Sequence, residues 1–251
     1  MSELEFDNVT ISYGDHKVVD SLSLVVPSGQ IVGLVGESGC GKSTLARAAV
    51  GLQPISSGTV RLAGKPVRRG ANPGLQMVFQ DPYASLNPRM SIGKSIAEAL
   101  PARLGRGERR SAVEAALAQV AIDPSRYDLL PAQLSGGQRQ RVGIARALVA
   151  QPMVIVADEI TSALDASVQG AVLNLVRNLQ TTLGIGMLFI SHNMAVVRYV
   201  SDRIAVMSEG SIVESGPSEQ IVNTPSHPYT RKLLDAARLE LDETPQISGI
   251  V

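Results

Sequence analysis

The sequence has 251 residues, of which 44% are hydrophobic, and this is enough to bury the core of one domain with a subdomain. Lys plus Arg and Asp plus Glu both number 23, so the formal net charge is zero. A protein that coats DNA or RNA electrostatically is usually strongly basic, so we expect no nucleic-acid partner. The single cysteine, Cys40, excludes an internal disulfide and a multi-cysteine zinc or iron–sulfur site.

Membrane insertion is not expected from the hydropathy pattern. The N-terminal stretch MSELEFDNVTISY is polar and acidic, unlike a secretory signal. The apolar runs, such as Met153–Ala157, are far shorter than the ~18–20 residues that a membrane-spanning helix needs. We therefore expect a soluble chain that reaches a membrane only through a partner protein.

The first part of the chain alternates short β-like runs with turn signals. Strands are predicted at residues 6–12, 22–26, 30–35, 59–62 and 75–79, with a helix at 43–50. From about residue 91 to residue 150, apolar residues recur every three or four positions, which predicts helices. Polar interruptions at 104–108 and 123–128 are expected to separate those helices.

The strand pattern returns after Pro152. Val154–Ala157 is a continuous apolar run, as expected of a parallel strand buried on both faces. Helices are predicted at 166–183 and 194–201, and strands at 186–191, 204–207 and 211–214. This alternation indicates a parallel α/β sheet, interrupted by a mostly helical insertion. The residues after Leu239 are predicted to form a mobile tail.

A glycine-rich segment between a predicted strand and a predicted helix fits the pattern G-x-x-x-x-G-K-[ST] without a gap. Its residues are Gly36, Glu37, Ser38, Gly39, Cys40, Gly41, Lys42 and Ser43, and Thr44 continues the helix. Glycines let the backbone N–H groups point at phosphate oxygens, and the helix N-terminus favours anions. Lys42 is expected to reach the β- and γ-phosphates and Ser43 to bind Mg²⁺. A chance glycine-rich turn would rarely combine all of these features, so the segment predicts an ATP-binding phosphate loop.

Two carboxylates follow the apolar strand that begins after Pro152. Asp158 at the strand end is placed to hold Mg²⁺, directly or through water. Glu159, the next residue, is placed to polarise an attacking water. An Asp-Glu pair after a strand is by itself commonplace, and a solvated helix cap is the alternative. The phosphate loop earlier in the chain favours the catalytic interpretation.

A second anion-binding helix start lies about a hundred residues after the phosphate loop. Leu134 is followed by Ser135, Gly136, Gly137 and Gln138, and a helix is predicted to continue through Ala147. Ser135 is a good N-cap, and the glycines expose backbone N–H groups. One ATP is not easily held by both elements within one compact subunit. The pattern resembles the signature motif of ABC ATPases, which contacts the γ-phosphate of ATP bound to the other subunit.

The resemblance to ABC ATPases implies the fold and its divisions. The fold class is α/β, a RecA-like P-loop NTPase core with an N-terminal antiparallel β subdomain and an inserted α-helical subdomain. The implied core with its β subdomain comprises residues 1–90 and 151–225, and the helical subdomain comprises 91–150. Residues 226–251 are assigned to a short C-terminal extension or tail.

Other positions acquire roles from the same resemblance, each with a simpler alternative. Tyr13 matches an aromatic residue that stacks on adenine, but a strand-end tyrosine often just covers the core. Gln80 matches a glutamine that contacts Mg²⁺ and the lytic water. Asp165, in the loop 162–165, matches a contact to the opposite subunit, or is only a helix cap. His192 matches a γ-phosphate sensor, although a lone histidine is more often structural.

Three stretches are similar to those of peptide and nickel importers within the ABC family. They are residues 80–89, residues 158–169 and the string Ser226-His227-Pro228-Tyr229-Thr230. Some of these importers carry a C-terminal cysteine cluster, which a chain with one cysteine cannot build.

The resemblance implies an ATPase, using ATP and Mg²⁺, that powers import through a permease. Further expected partners are a second ATP-binding subunit, identical or different, and indirectly an extracytoplasmic substrate-binding protein. The implied location is the cytoplasmic face of the cell membrane, as a peripheral subunit. The alternative is a non-transport ABC ATPase in DNA repair, chromosome organisation or translation, although such proteins usually add coiled coils, zinc modules or a second cassette.

Overall fold

The computed structural model describes residues 3–70, 72, 74–81 and 85–243, which contain two β-sheets and flanking helices. The smaller sheet is antiparallel, in the order β2-β1-β4-β5. Its strands are β1 Leu4–Tyr13, β2 His16–Val26, β4 Ser57–Leu62 and β5 Lys65–Pro66. The N-terminal antiparallel β region that was predicted is thereby confirmed.

The larger sheet has six strands in the order β10-β9-β3-β8-β7-β6. These are β3 Ile31–Val35, β6 Leu75–Val78, β7 Val154–Asp158, β8 Gly186–Ser191, β9 Arg203–Ser208 and β10 Ser211–Pro217. All pairings are parallel except that of β10 with β9. The predicted parallel α/β sheet is confirmed, and it carries one antiparallel edge strand.

Helices follow most of the strands of the larger sheet. They are α1 Lys42–Ala49, α2 Ile92–Ala97, α3 Arg106–Gln119, α4 Gly136–Leu148, α5 Ala166–Leu183, α6 Met194–Val200, α7 Ser218–Asn223 and α8 Pro228–Glu243. Short 3₁₀ helices lie at Pro124–Asp128 and Pro131–Gln133. Within the described ranges, none of the helices combines the length and the apolar character that crossing a bilayer requires.

The helical region between β6 and β7 differs from its sequence prediction on both sides of the interruption expected at 104–108. Helix α2 already ends at Ala97, well before that interruption. Helix α3 begins at Arg106, inside the interruption predicted at 104–108. The backbone N–H of Gly105 donates to Oε2 of Glu108 at 2.8 Å, which fixes the first turn of α3. A local hydrogen bond of this kind lets polar residues start a helix rather than interrupt one.

The central strands are buried on both faces because two separate cores cover them. Val32, Leu34 and Val156 pack on one face, with the antiparallel sheet and α1. Ile31 and Val35 pack on the opposite face, among the later helices. Alternate residues therefore enter different apolar cores, which explains the uninterrupted apolar runs in these strands.

Strand register brings the carboxyl ends of four parallel strands together. Val35 pairs with Ser191, Asp158 pairs with Ile190, and Val78 pairs with Ala157. The segments that leave β3, β6, β7 and β8 consequently emerge side by side along one edge of the sheet. Loops at this edge are where open α/β folds bind ligands.

The C-terminal helix extends a few residues beyond the start of the tail that the sequence pattern predicts. Helix α8 continues past Leu239 to Glu243, and residues 244–251 lie outside the described residues. The start of this helix is held by Glu214 on β10. Its Oε1 accepts the backbone N–H of Ser226 at 2.7 Å, and its Oε2 accepts that of His227 at 3.1 Å. Burial raises the pKa of Glu214, but Thr230, Ser226 and His227 outweigh it and lower the pKa to about 2.

Replacing Glu214 by glutamine is expected to lower the free energy of unfolding by about 1–2 kcal/mol at neutral pH, because the charge-assisted bonds weaken. A depressed carboxyl pKa stabilises the folded state above the ordinary value of 4.5, and that stability is lost as the pH falls towards about 2. Urea unfolding at pH 7 and at about pH 3.5 measures this. The difference in free energy of unfolding between the wild type and Glu214→Gln should be smaller at the acidic pH.

Glu209→Gln is the control for Glu214→Gln. Glu209 is exposed in the β9–β10 turn, and its side chain makes no hydrogen bond or ion pair with any described residue. The Glu209→Gln variant should leave the free energy of unfolding unchanged at both pH values. If Glu214→Gln loses the same free energy of unfolding at both pH values, the ionised Glu214 carboxylate does not hold the start of α8 as described.

Candidate functional site

The phosphate-loop segment lies between β3 and α1, at the carboxyl edge of the sheet. Gly41 caps α1 with φ +107°, a conformation that favours glycine. A Cβ at this position would lie 2.6 Å from the carbonyl oxygen of Val18. A Cβ on Gly36 would collide with the carbonyl oxygen of Met207 in β9. Two glycines of the motif are therefore required by close backbone packing.

Lys42 is buried inside this loop, with 4% of its surface exposed. Its Nζ donates to the carbonyl oxygens of Gly36 at 2.7 Å and Glu37 at 2.8 Å, and lies 3.7 Å from Sγ of Cys40. The loop residues Glu37, Ser38 and Gly39 are exposed. The loop thus holds one buried positive charge at the N-terminus of a helix, a favourable arrangement for a phosphate group.

Ser43 and Asp158 are far apart in the sequence, but the fold brings their side chains together. The Ser43 hydroxyl, in the first turn of α1 beside Thr44, donates to Oδ1 of Asp158 at 3.0 Å. Asp158 is 4% exposed. Burial, and secondarily the Glu159 carboxylate, raise the pKa of Asp158, while the hydrogen bond from Ser43 lowers it.

A hydroxyl and a buried carboxylate are donors that suit Mg²⁺. No group of three or more His, Cys, Asp or Glu side chains in the described ranges forms a metal cage. Mg²⁺ commonly binds through one or two carboxylates together with substrate phosphates and water. The donor set therefore fits a cation that arrives with a nucleotide.

The Glu159 carboxylate lies between two other predicted site residues. Nε2 of Gln80 donates to its Oε2 at 3.0 Å, and Nδ1 of His192 lies 3.2 Å from its Oε1. The Glu159 side chain is 14% exposed, whereas that of His192 is 49% exposed. Gln80 follows β6, Glu159 follows β7 and His192 follows β8. The strand register thus assembles a partly shielded carboxylate from three neighbouring strand ends.

The backbone of Glu159 is strained. Its φ is +46°, in the left-handed region that a non-glycine residue rarely adopts. Such a conformation costs on the order of 1–3 kcal/mol. The Glu159 N–H donates to the Ile190 carbonyl at 3.0 Å, and its own carbonyl accepts the Ser162 hydroxyl at 3.0 Å. These bonds hold the turn that directs the chain away from β7.

Other predicted site residues are not joined to the phosphate loop. Tyr13 is half exposed, and its hydroxyl donates to Oε1 of Gln53 at 3.0 Å. Ser135 is exposed and caps α4: its Oγ accepts the Gln138 N–H at 3.3 Å, and its own N–H donates to Gln138 Oε1 at 3.0 Å. Across the described part of the chain, no hydrogen bond or ion pair links Ser135 or Gln138 to residues 36–43.

The Ser135 turn packs against the loop that contains Asp165. A Cβ on Gly137 would collide with the Val168 side chain of α5, and one on Gly136 would lie 3.7 Å from Leu164. Asp165 caps α5, accepting from the Val168 N–H at 3.0 Å and the Ser167 hydroxyl at 2.6 Å. These bonds lower its pKa. Asp165 is therefore a helix cap, and its contact to another subunit stays a prediction.

Sequence reasoning missed two contacts to the phosphate loop, both made by helix α8. The hydroxyl of Tyr229 in α8 accepts the backbone N–H of Glu37 at 3.0 Å, and Nζ of Lys232 lies 3.6 Å from Oε1 of Glu37. The only signal in the sequence was the His-Pro-Tyr-Thr string, to which no role was given. In the stretch 80–89, residues 82–84 lie outside the described residues.

Comparison with known proteins identifies relatives over most of the chain. The family model described as ABC transporter matches residues 19–162. The di/tripeptide transport ATP-binding protein DppF of Pseudomonas aeruginosa is 47% identical, over 88% of this chain and 71% of that protein. The probable D,D-dipeptide transport ATP-binding protein DdpF of Escherichia coli is 49% identical, over 87% and 70%. The oligopeptide transport protein OppF of Escherichia coli is 45% identical, over 88% and 69%.

Solved structures share the architecture. CbiO1 from Clostridium perfringens, part of an ABC transporter complex, has a TM-score of 0.81 and 26% identity, covering 95% of each chain. The ATP-binding cassette MJ0796, solved as a post-hydrolysis dimer bound to ADP and Pi, has a TM-score of 0.75 and 26% identity, covering 86% of this chain and 98% of that chain. The predicted P-loop NTPase fold is confirmed.

The relatives named above are transport ATP-binding proteins, so the alternative of a DNA-repair, chromosome or translation ATPase is set aside. The family match, the identities and the shared fold agree with the phosphate loop and the assembled carboxylates. The chain belongs to the ABC transporter family, as an ATP-binding subunit that hydrolyses ATP.

Proposed function

We propose that this subunit powers the import of peptides through a partner permease, with Glu159 as the residue that activates water. The observation that carries the hydrolytic part is the Glu159 carboxylate between Gln80 and His192, beside Asp158. The cargo follows from the printed names of relatives that are 45–49% identical, which are di-, tri- or oligopeptide transport proteins. A peptide is thus favoured over nickel, the other cargo suggested by the sequence.

Hydrolysis proceeds by in-line attack of water on the γ-phosphorus of ATP. Glu159 accepts a hydrogen bond from the water as the new P–O bond forms and the bond to the β–γ bridging oxygen breaks. The products are ADP, phosphate and one proton. Gln80 keeps the carboxylate in place through its Nε2, and His192, which lies against the same carboxylate, is assigned to the γ-phosphate.

Lys42 offsets the negative charge on the β- and γ-phosphates, while the carbonyls of Gly36 and Glu37 hold its ammonium group in place. The backbone N–H groups of the loop and of the first turn of α1 are assigned to the phosphates. Ser43, Asp158 and Gln80 are the residues that would hold Mg²⁺, which supplies charge neutralisation at the phosphates.

A second ATP-binding subunit completes the site. The exposed Ser135 turn presents backbone N–H groups at the start of α4, yet it has no link to its own phosphate loop. We assign it to the γ-phosphate of ATP bound by the other subunit, with Asp165 in the adjoining contact. The dimeric structure of MJ0796 supports this arrangement. Tyr13 is assigned to stacking on adenine, since half of its surface is exposed.

The permease is assigned to a groove of about 410 Å³ between the core and the helical region. Leu52 and Phe79 are exposed at this groove, which also includes Glu98 and Arg146. An amphipathic cytoplasmic helix of a permease fits such a surface, because apolar contacts are flanked by opposite charges. In this arrangement the nucleotide core comprises residues 1–90 and 151–225. The helical arm comprises residues 91–150, and the extension comprises residues 226–251.

This docking places the subunit at the cytoplasmic face of the membrane. An extracytoplasmic binding protein would then act on it only through the permease.

The Leu52→Glu variant tests the groove. The control is Leu183→Glu, which changes another exposed leucine, at the end of α5. Leu52→Glu should lose permease co-purification from membranes and peptide uptake, while basal ATP hydrolysis stays within about twofold because the loop is untouched. Co-purification at the control level would refute the docking assignment.

A further inference from the structure

We propose that Tyr229, at the start of the C-terminal helix α8, is a positioning residue for the phosphate loop. Its hydroxyl accepts the backbone N–H of Glu37 at 3.0 Å, although the two residues are 192 positions apart in the chain. The extension thereby contacts the nucleotide site of its own subunit. The proposal rests on ATP binding at residues 36–43.

One peptide unit is held from both sides. The carbonyl of Gly36 and the N–H of Glu37 belong to the same peptide group, and in a trans peptide they point in opposite directions. Nζ of Lys42 donates to that carbonyl at 2.7 Å, and Tyr229 accepts that N–H. Rotation of this peptide would break both hydrogen bonds, so Tyr229 keeps the carbonyl directed at Lys42.

Tyr229 is itself firmly placed. Its backbone N–H donates to Nδ1 of His227 at 3.2 Å, and Glu214 holds the N–H groups of Ser226 and His227. Burial raises the pKa of the Tyr229 phenol above its ordinary value. The path from β10 through the start of α8 to the loop therefore consists of hydrogen bonds with defined partners.

The ion pair between Lys232 and Glu37 is a weaker second link. Its atoms are 3.6 Å apart and the side chains are 77% and 60% exposed, so solvent screens the attraction. The hydroxyl of Tyr229, rather than this charge, is assigned the positioning role.

The test compares the Tyr229→Phe variant with the wild type in ATP titration and steady-state hydrolysis. Loss of one neutral hydrogen bond predicts an ATP dissociation constant and a KM that rise about three- to tenfold, with kcat within about twofold at saturating ATP. Tyr199→Phe is the matched control, since Tyr199 donates to Asn174 between α6 and α5, away from the loop. Lys232→Ala should change the constant by less than about twofold.

The outcomes separate this inference from the assignment of the loop itself. A wild-type chain that binds ATP no better than Lys42→Ala removes the loop assignment. If the wild type binds ATP and Tyr229→Phe binds as well as Tyr199→Phe, the positioning role is wrong. The role is also wrong if the ATP affinity of Tyr229→Phe falls only as much as its lowered unfolding temperature accounts for. It is equally wrong if Lys232→Ala weakens ATP binding as much as Tyr229→Phe does.

Discussion

Replacing Glu159 by glutamine is expected to lower steady-state ATP turnover by about 10²–10⁴-fold while leaving ATP binding intact. The glutamine side chain has the same shape and can still pair with Gln80 Nε2, which lies 3.0 Å from the carboxylate. It loses the negative charge that polarises water. The variant should therefore hold ATP and accumulate a closed dimer. The rate of phosphate release measures ATP turnover, and sedimentation in the presence of ATP measures the dimer.

The control for Glu159→Gln is Glu114→Gln in α3, where the carboxylate forms a surface ion pair with Arg110. This variant should hydrolyse ATP at the wild-type rate. Normal multiple turnover by Glu159→Gln would eliminate Glu159 as the residue that activates water.

Replacing Lys42 by alanine is expected to weaken ATP binding by about 10²-fold or more and to abolish hydrolysis. The side chain supplies a buried positive charge, 4% exposed, inside the loop. Charge-assisted hydrogen bonds contribute about 1.5–3 kcal/mol each, and at least two phosphate contacts are lost. Titration with a fluorescent ATP analogue measures the change.

Lys65→Ala is the matched control for Lys42→Ala, because Lys65 is exposed on the edge strand β5. Its ATP affinity should equal that of the wild type. An unfolding temperature recorded for both variants shows whether Lys42→Ala remains folded. Unchanged ATP affinity in folded Lys42→Ala would refute the assignment of the phosphate loop.

The parallel sheet was predictable because its strands carry strong local signals. Val154–Ala157 is apolar on both faces, and Gly186–Ser191 is bounded by a left-handed glycine, Gly184, at the end of α5. Burial between two cores removes any need for polar residues in such strands. Their extents therefore agree with the sequence pattern to within one residue.

Elements that depend on distant partners were not predictable in full. The first half of β2, from His16 to Ser21, is largely polar, and it is extended because it pairs with β1. The start of helix α8 is held by Glu214, a carboxylate from strand β10 that no local pattern around the helix indicates. The positive φ of Glu159 is likewise imposed by hydrogen bonds to Ile190 and Ser162.

The same distinction holds for the site. The phosphate loop is contiguous, so its glycines, Lys42 and Ser43 could be assigned from spacing alone. The contacts of Glu159 with Gln80 and His192 join residues 79 and 33 positions apart, and they follow from strand order. Spacing could suggest these residues only through a family resemblance. The contact between Tyr229 and Glu37 had no such guide.

The central claim is that each ATP is held by the phosphate loop of one subunit and the Ser135 turn of another. Mixing two inactive variants, Lys42→Ala and Ser135→Arg, tests it most directly through ATP hydrolysis. In a mixed dimer one site carries both changes and the other carries neither, so about a quarter of the wild-type activity should return. If the wild-type chain alone hydrolyses ATP as a dimer and the mixture stays as inactive as either variant alone, the shared site is contradicted.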